Sequence, residues 1–99
     1  MENIRKVAPG VIEGFREFTN SIDEYSPLEL KYKELILIGI MTANKSMRGV
    51  STHTKICLDA GGTKEEVLSA VLYATPIVGI TSVTLAFTQA LSVIENYKD

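Results

Sequence analysis

The chain contains one histidine and one cysteine, His53 and Cys57, four residues apart. On a helix that spacing stacks two side chains on one face, and an imidazole beside a thiol lowers the thiol pKa and makes a nucleophile. The competing reading treats Cys57 as a packing residue, because free cysteine is among the most buried residue types. His53 carries more chemical weight, since imidazole exchanges protons near neutral pH. Glu34 is the second acid–base candidate. It stands where a segment bearing Glu29, Lys31 and Lys33 gives way to Leu35, Ile36, Leu37 and Ile38. A carboxylate at such an edge loses part of its hydration, which favours proton transfer. Lys45 and Arg48 are basic groups that either hold an anionic substrate or stay solvated.

Other chemistries have no motif. The sequence lacks a glycine-rich phosphate loop and a serine-nucleophile motif, and one histidine cannot form a two-histidine metal pair. No metal, nicotinamide or flavin site is therefore expected. A single cysteine forms no internal disulfide and supplies no cysteine-rich zinc site, so packing must hold the fold.

The elements that position these residues read as helices. Ile12, Phe15 and Phe18 recur at helical spacing between Pro9 and Ser21, predicting a short helix that packs through its aromatic residues. Ser26, Pro27 and Glu29 form a capping pattern that starts the next helix at Pro27. That helix runs on through Leu35 to Met41, which are apolar all round apart from Gly39, as in a central buried helix. Val50, His53, Cys57 and Ala60 then mark one face of a third helix, stopped by Gly61 and Gly62. Thr63 and Glu66 form a second capping box, opening a helix to about Ala74, which Pro76 ends or kinks. No alternating strand pattern competes, so the fold class is all-α, with about five helices in a single domain over residues 1–99.

With 99 residues and a net charge of −2, the chain has no basic footprint for nucleic acid. Its charge is uneven. Nineteen of the 22 charged residues lie in positions 1–66, and Val67 to Ile94 is a 28-residue stretch with none. That length raises the question of a membrane span. Polar residues answer it: Thr81, Thr84, Thr88 and Ser92 fall opposite Ile80, Val83, Phe87, Ala90, Leu91 and Ile94 on a helix over residues 80–97, a split that a lipid-facing helix does not need. The hydroxyl face suits contact with another helix, including one from another subunit. The polar start Glu2 to Lys6 has no apolar signal core, which favours the cytoplasm.

The helix entry Lys33-Glu34-Leu35-Ile36, His53 followed by the turn from Ala60 to Glu66, and the break at Gly79 resemble the carboxymuconolactone decarboxylase and alkylhydroperoxidase D-like family. The resemblance covers residues 26 to 92. It implies an all-helical obligate homo-oligomer, a trimer or hexamer, with active sites near subunit contacts. The peroxidase branch has a Cys-x-x-Cys pair where this chain has Ser46 and Gly49, so a disulfide cycle is not expected. The decarboxylase branch implies a cofactor-free lyase or isomerase acting on a small acidic metabolite. In it His53 would be the proton donor, Glu34 its supporting carboxylate, and Lys45, Arg48 and Ser46 the substrate contacts. The alternative is a non-catalytic oligomer that binds a ligand or partner.

Overall fold

The computed structural model describes residues 1–98. Seven helical segments follow one another: α1 (Glu2–Val7), α2 (Pro9–Tyr25), α3 (Leu30–Ala43), α4 (Met47–Asp59), α5 (Lys64–Leu72), α6 (Thr75–Val78) and α7 (Ile80–Glu95). The described residues contain no strand, which agrees with the all-α expectation. The count exceeds the expected five for local reasons. Proline disfavours a helical conformation in the residue before it, and Ala8 (φ −138°, ψ 68°) accordingly separates α1 from α2, which begins on Pro9. Pro76 lies in the first turn of α6 and so opens a separate one-turn helix. Gly79 then takes φ 85° and ψ 167°, a conformation nearly closed to other residues, and α7 starts from there.

The capping pattern around Pro27 does not start α3. Ser26 is extended (φ −76°, ψ 132°) and ends α2, as the residue before a proline prefers. Its hydroxyl accepts from the Leu28 N–H at 3.1 Å. Glu29 is extended too, and α3 begins at Leu30. The same residues therefore stop one helix and connect it to the next through an extended turn. The second capping box forms as expected: Thr63 Oγ1 accepts from the Glu66 N–H at 3.1 Å, and Glu66 Oε1 accepts from the Thr63 N–H at 2.9 Å.

The core lies among α3, α4, α5 and α7 and is built from Ile38, Val50, Cys57, Val67, Val71, Val83, Ala86 and Ala90. The buried line of α4 is Val50, Thr54 and Cys57, one notch away from the expected face, which leaves His53 on the flank. Two further expectations change. α3 is central, but Ile36 and Ile40 are exposed. On α2 only Ile12 is buried, while Phe15 and Phe18 are open to solvent. α2 packs mainly on α1 and stands off from the other helices. The charge-free stretch resolves into most of α5, all of α6 and most of α7, and no helix of the described residues is long and apolar enough to cross a membrane.

Two buried or tethered polar groups test this packing. Thr54 is fully buried and its hydroxyl has no hydrogen-bond partner among the described residues, a situation that typically costs about 1–3 kcal/mol. Thr54→Val keeps the shape and removes the orphan hydroxyl. It is expected to raise stability by about 1 kcal/mol, read from urea unfolding at fixed protein concentration. Glu66 lies below the usual glutamate range because it accepts from the Thr63 N–H and pairs with Lys31 Nζ at 3.2 Å. A depressed folded value means the stabilisation is complete above the ordinary value of 4.5 and disappears as pH falls below it. Glu66→Gln keeps an acceptor for the capping box without the charge. The variant should be the less stable protein at neutral pH, and the gap to the wild type should close in acid.

Candidate functional site

The segment before His53 is organised around its own start. Ser46 caps α4, its hydroxyl accepting from the Gly49 N–H at 3.2 Å. Gly49 has no room for a side chain, since a Cβ there would run into the Met41 side chain and lie 2.9 Å from Ser46 Oγ. Lys45 takes a left-handed conformation (φ 61°) to make the turn out of α3. This tight connection folds α4 back along α3, its most extensive packing partner.

That packing brings His53 against Glu34. Nδ1 of His53 lies 2.6 Å from Oε1 of Glu34, whose side chain is only 3% exposed. A carboxylate that accepts from Nδ1–H leaves Nε2 as the ring nitrogen that can exchange a proton with a ligand. A buried carboxylate needs such a partner, and removing one member of a buried pair costs about 3–5 kcal/mol. Glu34 therefore fixes the imidazole tautomer and its orientation. The two candidate acid–base residues form a single unit.

Cys57 is not part of it. Its sulfur is within 3.9 Å of the Lys31 carbonyl oxygen. Burial, reinforced by the negative charges of Glu66 and Glu34, pushes the thiol above its ordinary value of 9.0. A thiol held protonated is a poor nucleophile. The four-residue spacing is real, but the imidazole turns toward α3 instead.

His53 lines a cleft of about 810 Å³ between α2 and α3, within the size range of small-molecule sites. Its walls are mainly apolar: Phe15 and Ile22 on α2, and Leu30, Ile36 and Leu37 on α3. Lys33 supplies a cation on this surface, held by Asp23 of α2 through contacts of 2.9 and 3.0 Å. Thr19 and Ser26 add hydroxyl groups. Lys45, Ser46 and Arg48 lie in the α3–α4 turn and first turn of α4, and none lines this cleft. Lys33 is the site residue that motif reading missed. Leu30, Lys33 and Leu37 do share a helix face by spacing, but nothing local announces that α2 lies across it.

No group of three or more histidine, cysteine or acidic side chains gathers as a metal site among the described residues. The acid–base unit, a cation and apolar walls are what the cleft offers a ligand.

Comparison with known proteins gives a family. No curated protein and no solved structure matches the chain significantly. The model of the carboxymuconolactone decarboxylase family matches residues 9–92, which takes in α2 through most of α7 and with them Glu34, His53 and both walls of the cleft. The chain belongs to the carboxymuconolactone decarboxylase family.

Proposed function

We propose that the protein is a cofactor-free lyase or isomerase for a small carboxylate-bearing lactone or keto acid, with His53 as its acid/base. The observation that carries this reading is the 2.6 Å contact between His53 and the buried carboxylate of Glu34 at the wall of an apolar cleft. Glu34 holds Nδ1, and Nε2 takes a proton from carbon or delivers one to it as the ring opens or the carboxylate leaves. The apolar walls pack against the apolar part of the substrate. Lys33 accepts the substrate carboxylate from the open side of the cleft. Lys45, Arg48 and Ser46 serve as substrate contacts in this scheme only where a neighbouring subunit presents them.

Self-association is the second part of the proposal. A compact 10.9 kDa monomer exposes about 5,600 Å², whereas this chain exposes 6908 Å². Its radius of gyration is 14.8 Å against about 12.6 Å for a compact chain of this length. The excess is close to the area one partner contributes to a substantial interface. On α2, Val11, Phe15, Phe18 and Ile22 form an exposed stripe at spacings of four, three and four. We assign the part of that stripe outside the cleft, Val11 and Phe18, together with the exposed hydroxyl face of α7, to contacts in a homotrimer or homohexamer.

A non-catalytic ligand-binding member is the competing reading, favoured by the Asp23 contact that already occupies the cleft cation.

Two experiments test these readings. His53→Gln can still donate to Glu34 but cannot shuttle a proton, so it should retain its helical circular dichroism. Turnover of a screened lactone or keto acid should fall by about 10²- to 10⁴-fold, and unchanged turnover overturns the acid/base role and leaves the binding reading. Light scattering at micromolar concentration should show three or more copies, reduced in number by Phe18→Lys. A monomeric wild type removes the assembly proposal.

A further inference from the structure

The cleft has one polar feature that its chemistry as an anion site does not require. Lys33 Nζ is within 3.0 Å of both carboxylate oxygens of Asp23, so the cation is satisfied from within the chain. Asp23 belongs to α2, which otherwise stands off from α3, α4, α5 and α7. Among the described residues, the Asp23–Lys33 pair is the side-chain polar link between α2 and those helices. The same ion pair therefore tethers the helix and occupies the cleft cation.

The geometry points to Asp23 as an internal stand-in for a ligand carboxylate: a small apolar carboxylate bound in the cleft replaces Asp23 on Lys33, and α2 is released at its carboxy-terminal end when it does. Asp23 is then a specificity-determining residue. It makes any anion compete with an intramolecular carboxylate, so neutral apolar molecules gain nothing from Lys33, and weak anions without apolar bulk fail to displace Asp23. The exchange is accessible, because both side chains of the pair are partly exposed, at 39% and 48%, and solvent-exposed ion pairs are weak. The apolar walls at Phe15, Ile22 and Ile36 stabilise the incoming ligand by burial, which Asp23 cannot match. This inference deepens the proposed small-acid site and rests on that reading for the ligand's place beside His53.

Benzoate is a suitable probe, with benzyl alcohol as its neutral counterpart. Calorimetric titration of the assembled wild-type protein should show benzoate binding, tightened about two- to fivefold in Asp23→Asn, the equilibrium worth of one exposed ion pair. Lys33→Met should bind benzoate no better than benzyl alcohol. Amide hydrogen exchange over residues 17–25 should quicken when benzoate saturates the wild type. Unchanged or weaker benzoate binding in Asp23→Asn, or no binding to any variant at millimolar concentration, overturns the exchange. Failure of the acid/base reading looks different: benzoate still responds to Asp23→Asn, while His53→Gln leaves turnover intact.

Discussion

A carboxylate that is almost wholly removed from water sets the terms for this structure. Glu34 sits on α3 with 3% of its side chain exposed, and its ionic partner among the described residues is one imidazole nitrogen at 2.6 Å. An unpaired charge in that place would cost several kcal/mol, so α4 must present His53 at one height and one rotation along α3. The connection between the helices serves that demand. Lys45 makes the left-handed turn, Ser46 caps α4 and Gly49 leaves room for Met41. Ser46 is the cap of α4 and Gly49 lies in its first turn. In this chain those two positions begin the helix that carries the histidine.

The remaining helices follow from that pairing. Val50, Thr54 and Cys57 face inward once His53 is held against α3, and small residues at Ala86 and Ala90 admit α7 to the same core. Gln89 of α7 donates to Ser51, and Tyr97, just beyond the end of α7, donates to Asp59, so this part of the chain is tied to α4 at two points. The arrangement accepts an orphan hydroxyl at Thr54 and an inert, protonated thiol at Cys57. Neither touches the cleft. What the core does not do is bury α2, on which Val11, Phe15, Phe18 and Ile22 stay exposed.

This division explains the site's character. Glu34 and His53 lie on the helices that pack in the core, whereas the opposite wall is a helix attached through a turn at Pro27, a buried Ile12 and one ion pair. Catalytic groups on packed helices keep their geometry, and loosely attached elements supply access. The cleft is thus asymmetric: α3 and α4 hold Glu34 and His53 against each other, and α2 forms the opposite wall.

The sequence carries, within short segments, the helical class, the capping box at Thr63, the stop at Gly61, the break at Gly79 and the candidacy of Glu34 and His53. Each of these is a local matter, decided by hydrophobic period, side-chain capping or permitted backbone angles within a few residues. It also misled at Pro27, where a pattern that reads as a helix start instead ends α2, because proline restricts the residue before it as strongly as it suits the first helical turn. That Glu34 and His53 touch, and that Lys33 rather than Lys45 or Arg48 faces the cleft, emerges only from the packing of the helices. Those facts depend on the height and rotation at which separate helices meet. Such alignment is set by the sum of core contacts and by the need to pair a buried charge, and no stretch of sequence contains it.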